Sequence, residues 1–474
     1  MNAEQAYLFR HALLRDAAYQ LQMPADRARL HKLALAVIEQ LHGGRAPAPG
    51  TLQGHDSAGF EPHPSDVVAE ELARHARESL AGANEGADAQ PMAELHKIYL
   101  CRAAEFLEKC YRHEAASAQW QALADVCEGS VRALALYRSA RITNASGRPL
   151  EAARIAEQAW ALARQAAARH VQGVALSLLG QIDKETGNVF RAEERCRQAV
   201  LVLHETGQQR HENLACINLG SVLKDAGRVQ EAEQLYAQAL FALRTADNRR
   251  DQCAALGNLA LLYEESGRLV ESEKAYAEAL LACRETGQHR IEGAILGNLG
   301  AGLANSGRHA EAVECFETAL RIAREVGDRR SEGMVLGNWA NVLAKTARYE
   351  QAERCFETAL AIHREVGNRR SEGSSLGHLA TLHAQTARIE QSLQEFPLAL
   401  AIHREVGNRL YQGVHGCYFA VALRLSARLH ESAEVWRASI SELRAMGANA
   451  QLDTVLSDMR AACAKTGIPP LNAA

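Results

Sequence analysis

The chain has 474 residues, 57 acidic against 53 Lys and Arg, and its formal net charge of −4 excludes a globally basic surface that would hold nucleic acid by its phosphates. An apolar fraction of 47% suffices for a core, and with only 5% aromatic residues that core must rest on closely packed Ala and Leu. Eleven cysteines without a Cys-x-x-Cys pair suit reduced core thiols; no run approaches the roughly 18 apolar residues of a membrane span, and Arg10, Arg15 and Asp16 interrupt any apolar leader, so a cytoplasmic protein is expected.

Taken in order, residues 1–42 read as a helical segment, with Pro24 or Asp26 opening a helix that ends at Leu41. Residues 43–65, rich in Gly and Pro, read as a flexible linker or long loop. Residues 66–129 read as an irregular helical region, broken at 82–89 and carrying one atypical repeat around Glu114-Ala115. From 130 to 449 the register locks into eight units of 40 residues without insertion or deletion. Gly or Ala followed by Arg recurs at Gly147, Gly227, Gly267, Gly307, Ala347, Ala387 and Ala427, and Gly187-Asn188 fills the remaining slot. A fixed period of this size means stacked supersecondary units, none able to bury its apolar face alone.

Within 210–249, apolar spacing predicts a first helix over 210–226 and a second over 230–245. A second set of turn residues, Gly207, Asp247, Gly287, Gly327, Gly367, Gly407 and Gly447, should close each second helix in a left-handed conformation. Pro397 falls inside a second helix and predicts a kink. Leu452, Val455, Leu456 and Met459 share one face of a capping helix over 450–466, before a tail at 467–474.

Asn218-Leu219-Gly220, Gly227, Ala232, Tyr236 and Ala239 resemble the tetratricopeptide pattern, as do Asn298-Leu299-Gly300, Gly307, Ala312, Phe316 and Ala319, in a long 40-residue variety. The resemblance implies an all-α solenoid, a right-handed superhelix of antiparallel helix pairs, with a concave groove for a protein or an extended peptide. A second resemblance lies in the stretch from Tyr7 to Tyr19, with Arg29-Leu30-His31 and Leu72-Ala73-Arg74-His75-Ala76. These are similar to the region after the ATPase core of bacterial signalling ATPases, which carry tetratricopeptide sensor arms. No Gly-Lys dipeptide occurs, so the phosphate loop of that core is absent, and the chain reads as the C-terminal part of such a protein or as a free-standing arm.

If the tetratricopeptide arrangement holds, one stripe of each first helix lines the groove. The candidate groove residues are Asn218, Ser221 and Asp225; Asn258, Leu261 and Glu265; Asn298 and Asn305; Asn338, Asn341 and Lys345; and His378, Thr381 and Gln385. An Asn recurs in four consecutive units, and an amide carries a donor and an acceptor matched to a peptide group. The same amides could instead bond within or between neighbouring helices.

Arg210, Arg250, Arg290, Arg330 and Arg370 recur at first-helix starts, where Glu212, Glu292, Glu332 and Glu372 suggest a mutually neutralised rim, and a basic strip for an acidic partner is the alternative. Gly373-Ser374-Ser375-Leu376-Gly377 matches a nucleophile-elbow pattern, but the equivalent slots read Gly293 to Gly297 and Gly333 to Gly337, which makes it repeat sequence. His378 and His383, five apart, do not share a face for metal, and His363 and His403 share a second-helix slot as packing or surface residues. The expected function is therefore a non-enzymatic binding scaffold, the sensor or adaptor arm of a bacterial signalling system. It needs no cofactor, no metal, no nucleic acid and no membrane. A small-peptide receptor, or the regulatory part of a cyclase or ATPase, stands as the alternative.

Overall fold

A computed structural model describes residues 23–53, 60–80, 89–446, 448–467 and 469–471, and it divides the chain into two compact bodies: residues 1–142 with 161–167, and residues 143–160 with 168–474. The described residues form helices α1 (Pro24–Leu41), α2 (Ala69–Leu80), α3 (Ala89–Lys109), α4 (His113–Val126), α5 (Gly129–Ala145), α6 (Pro149–Gln165) and α7 (Arg169–Glu185). They continue as α8 (Val189–Glu205), α9 (Gln209–Asp225), α10 (Val229–Thr245), α11 (Arg249–Glu265), α12 (Leu269–Glu285), α13 (His289–Asn305) and α14 (His309–Glu325). The series closes with α15 (Arg329–Lys345), α16 (Tyr349–Glu365), α17 (Arg369–Gln385), α18 (Ile389–Glu405), α19 (Arg409–Leu425), α20 (Leu429–Ala445) and α21 (Asn449–Thr466). Two 3-10 turns, Gly50–Gln53 and Pro64–Val68, complete the regular structure.

The first body packs α1 to α4 around Leu35, Leu72, Tyr99, Leu107 and Trp120. Its described loop residues are tied down. The buried Arg102 guanidinium bonds Asp66 at 2.7 and 3.1 Å and donates to the carbonyls of Pro47 and Glu61, while Thr51 donates to Glu105 at 2.8 Å. His31 and His75, each within a segment that resembles the signalling ATPases, meet at 2.7 Å between α1 and α2. The stretch from Tyr7 to Tyr19 lies outside the described residues.

In the second body each odd-numbered helix from α7 to α19 leads a pair and the next even-numbered helix follows it. Both turns of the unit rely on one left-handed residue. The first-to-second turns hold Gly227, Gly267 and Gly307 at φ +77°, +75° and +79°, whereas Ala347, Ala387 and Ala427 adopt +58°, +61° and +64°. The second-to-first turns hold Gly207, Asp247, Gly287, Gly327, Gly367 and Gly407 between +50° and +69°; Gly447 lies outside the described residues. An αL backbone reverses the chain within three residues and satisfies the last helical carbonyls, as when Gly227 and Arg228 donate to Lys224 and Leu223 at 2.9 Å. α18 runs on through Pro397, whose ring sits on the exposed side where water can take up the carbonyl freed one turn back.

Close pairing follows from the Leu-Gly slot. A methyl group at Gly220 would lie 2.7 Å from the Tyr236 ring, and one at Gly300 would lie 3.1 Å from Phe316. In these two units the missing Cβ lets the aromatic of the second helix reach the backbone of the first, while Ala260, Ala340, Ala380 and Ala420 fill the slot in four others. Tyr236, Tyr276, Phe316, Phe356, Phe396 and Trp436 occupy the aromatic slot in six successive units and are all fully buried. Burying each contributes about 2–3 kcal/mol relative to exposure.

Each first helix also touches the first helix of the next unit, from α7 against α9 to α17 against α19, whereas successive second helices meet at most marginally. Crowding on one side of the stack curves it, so the first helices form its inner face. The curve returns on itself. A side chain at Gly147 would collide with the Asn368 amide oxygen, one at Gly187 would lie 3.0 Å from Met446 Sδ, and one at Gly407 would lie 3.0 Å from Leu150. Glu185 and Arg370 face each other at 3.9 Å across the same seam. The fold is an all-α solenoid of helix pairs.

Candidate binding face

The stripe read from the sequence lies on the first helices, and none of its residues is sealed in the core. Asp225, Glu265, Asn298, Asn305, Asn338, Lys345 and Gln385 are exposed; Asn218, Ser221, Asn258, Leu261, Asn341, His378 and Thr381 are half-buried. Neighbouring first helices hold some of these in place. Asn218 donates to Ser177 Oγ at 3.0 Å, Lys184 donates to Ser221 at 2.6 Å and faces Asp225 at 3.7 Å, and Lys224 pairs with Glu265 at 2.7 Å. Thr381 turns back to its own helix and donates to the Gly377 carbonyl at 2.9 Å.

The recurring amides divide into two kinds. Asn218 is committed to Ser177, whereas Asn258, Asn298 and Asn338 make no hydrogen bond with the described residues. Asn338 Nδ2 lies 3.9 Å from where a methyl group on Gly297 would stand, so this amide reaches over the backbone of the preceding unit's first helix. The row ends at His378, whose ring packs against Phe356, Tyr411 and His415 with centroids 6.1, 5.5 and 4.9 Å away.

His378 belongs to a cluster that the sequence did not reveal. His403 Nε2 and His415 Nδ1 share a hydrogen bond of 2.9 Å, and His403 Nδ1 and His415 Nε2 have no hydrogen-bond partner among the described residues. Burial pushes His378 down to about 4 with help from Lys345, and His403 down to about 3 with help from His378 and Arg370; His415 is also driven well below the usual imidazole range. His363, buried beside Arg330, is lowered to about 4. His383 behaves oppositely. Burial disfavours its charge, but hydrogen bonds to Glu395 at 2.6 Å and Glu353 at 3.2 Å raise its pKa. Ser374 lies mid-helix in α17 and donates to the Arg370 carbonyl, without the strand-to-helix elbow that a nucleophilic serine needs.

The arginine rim is only partly neutralised. Arg329 pairs with Glu332 and Glu365, and Arg369 with Glu372 and Glu405, at 2.5–2.7 Å. The neighbouring Arg250, Arg290 and Arg330 have no carboxylate within ion-pairing distance among the described residues. Glu292, Glu332 and Glu372 turn instead to Arg284, Arg324 and Arg364 at 2.7–2.9 Å. Arg250, Arg290 and Arg330 lie eight residues, about two helical turns, before Asn258, Asn298 and Asn338 on the same first helices.

The family model described as Tetratricopeptide repeat matches residues 251–325 and 331–406, and a second so described matches 215–251. Comparison with curated proteins finds no match. Among solved structures, a Rap protein complexed with competence and sporulation factor is 13% identical over 80% of this chain and 99% of its own, with a TM-score of 0.53. A Rap conjugation gene regulator of plasmid pLS20 in complex with the Phr* peptide is 13% identical over 64% and 87%, at 0.48. The apo quorum sensor NprR of B. thuringiensis is 14% identical over 71% and 94%, at 0.44. Tetratricopeptide repeats in a helical solenoid are thus the architecture of the second body.

Proposed function

We propose that the inner face of the second body binds an extended segment of a protein or peptide, as the sensor or adaptor arm of a signalling system. The observation that carries this reading is the row of Asn258, Asn298 and Asn338. Three amides recur once per unit, reach solvent and are left unbonded by the described residues. An amide that served packing would be expected to find a partner, as Asn218 does. A side-chain amide can accept from one backbone N–H and donate to one C=O, so the row grips a backbone of any sequence. Selectivity then falls to the slots that differ between units, such as Leu261, Asn341, Lys345 and Gln385. That a Rap protein of the same fold was captured with competence and sporulation factor supports a binding role.

The test uses peptides selected from a random display library on the wild-type chain. Their affinities are compared by fluorescence anisotropy with a variant carrying Asn258→Ala, Asn298→Ala and Asn338→Ala together. Three lost hydrogen bonds of about 1 kcal/mol each predict a loss on the order of a hundredfold with an unchanged melting profile. Unchanged affinity would overturn the proposal, and an unfolded triple variant would assign the amides to packing.

A further inference from the structure

We infer that the inner face selects an acidic segment, with Arg250, Arg290 and Arg330 receiving carboxylates spaced along it. The inference rests on the proposed groove reading and names the class of ligand that the groove takes.

The five arginines of this row occupy equivalent positions, and the two ends already hold carboxylates. Arg210 makes a two-pronged contact with Asp251, Nε to Oδ2 at 2.7 Å and Nη2 to Oδ1 at 3.3 Å. Arg370 faces Glu185, which reaches it from the start of the second body at 3.9 Å. The three central positions present the same guanidinium with no carboxylate within ion-pairing distance among the described residues. The chain itself thus shows what the row accepts, and planar, two-pronged recognition of a carboxylate is what a guanidinium does best.

Each of these arginines also sits at the second residue of its helix, where the positive end of the helix dipole disfavours a cation. Three such placements in succession, none with a carboxylate within ion-pairing distance among the described residues, leave a locally positive strip on a chain whose net charge is −4. Arg330 is the most enclosed of them. Burial, with Arg290 beside it, pulls its pKa down to about 10 although Asp328 and Glu185 act in the opposite direction, so a further anion arriving there would relieve both a desolvated charge and a like-charge contact. On the outer surface, Arg244 pairs with Glu278 at 2.7 Å, Arg268 with Glu233 at 2.9 Å, and Arg308 with Glu273 at 2.6 Å.

The occupant follows from the adjoining rows. First helices of adjacent units lie on the order of 10 Å apart, and a peptide in the polyproline II conformation advances roughly 3.1 Å per residue with three residues per turn, so successive arginines match every third residue on one face of it. The Asn row, two helical turns further along the same faces, is matched to a peptide backbone and not to a sugar-phosphate chain. A peptide with an acidic residue at every third position therefore satisfies both rows at once.

The experiment measures anisotropy of fluorescein-labelled Glu-Thr-Ser-Glu-Thr-Ser-Glu, the same peptide with Lys for Glu, and a single-stranded oligo-dT of seven nucleotides. The proteins are the full chain, the combined Arg250→Gln, Arg290→Gln and Arg330→Gln variant, the triple Asn→Ala variant, and Arg244→Gln as an outer-surface control. Expected is at least about a tenfold preference of wild type and Arg244→Gln for the Glu over the Lys peptide, shrinking as salt rises from about 50 to 500 mM. The triple Arg variant should lose that preference while keeping its circular dichroism melt. An equal affinity of wild type for the Glu and Lys peptides, or a preference that survives the triple Arg substitution, overturns the inference. Tighter binding of oligo-dT than of the Glu peptide through the same arginines would overturn the peptide assignment. If the Asn variant loses binding of library-selected peptides while the Arg variant behaves as wild type toward the Glu peptide, the groove stands and its acidic selectivity falls. Loss through the arginines alone would leave the acidic selectivity and remove the backbone grip.

Discussion

At the scale of single residues, the period makes the protein its own control, because one slot can be compared across units that share a backbone. Ala347, Ala387 and Ala427 take the left-handed conformation that Gly227, Gly267 and Gly307 take in equivalent turns. A Cβ in that region costs about 1–2 kcal/mol, part of which is offset because Ala restricts the unfolded chain more than Gly does. Ala347→Gly, Ala387→Gly and Ala427→Gly should each stabilise by about 0.5–1 kcal/mol, measured as a rise in the urea midpoint at constant slope. A fall in any of them would mean that these turns carry no backbone strain. The Ala slot of the second helix gives a parallel comparison. Ser272 and Ser432 there donate to the carbonyls of Ala260 and Ala420, at 2.9 and 2.7 Å, while the buried Ser392 hydroxyl has no partner among the described residues. Ser392→Ala, which installs the residue found at 232, 312 and 352, should leave stability unchanged or raise it slightly.

At the scale of helices, the buried histidines tie α17, α18 and α19 together and give this part of the stack a distinct response to acid. His403 packs among His378, His415 and Arg370, and His415 among His378 and His403; the groups facing them add positive charge or none. Their folded pKa values lie below the unfolded value of 6.5, so below that pH the unfolded chain binds the extra protons. Stability is then fully present above about pH 6.5 and declines as pH falls toward 4, by about 1.4 kcal/mol per pH unit for each histidine kept neutral. His383, whose pKa is raised, works the other way. Its contribution is complete below 6.5 and fades as pH rises through the folded value. His403→Leu, the residue at the equivalent positions 203 and 443, should flatten the drop in urea midpoint between pH 7 and pH 5. An unaltered drop would show that the cluster does not govern the acid response.

This scale also separates what could be read in the sequence from what could not. The helix pairs and the two turn slots were legible because a fixed period repeats the same local demand many times: an αL residue here, a missing Cβ there. The stripe followed from helical spacing, and its place on the groove was what the tetratricopeptide resemblance implied. Neutralisation of the arginine rim did not, because Glu292, Glu332 and Glu372 lie close in sequence to Arg290, Arg330 and Arg370 yet turn to arginines eight residues before them. The histidine cluster escaped for a related reason. Its members come from three helices, and the 40-residue register relates equivalent slots but says nothing of which unlike slots meet.

At the scale of the second body, the feature that no local pattern announces is the seam where the curved stack meets itself, more than five units along the chain. Gly147 and Gly227 offer a matched pair of probes, since both sit at positive φ but only Gly147 lies against another turn. Gly227→Ala should add backbone strain alone, about 1 kcal/mol. Gly147→Ala adds the same strain and a collision with Asn368, and should raise the radius of gyration seen by small-angle X-ray scattering, while Gly227→Ala leaves it unchanged. Identical scattering from both variants would place the seam outside the forces that hold the stack closed. A ligand seated on the inner face would act on the same curvature, since it touches the first helices of several units at once. The central claim, that the inner face of first helices is where the protein binds, is tested most directly by hydrogen–deuterium exchange with a library-selected peptide. The account predicts slowed exchange concentrated in α11, α13 and α15, with α12, α14 and α16 unaffected; protection confined to the second helices or to the first body would contradict it.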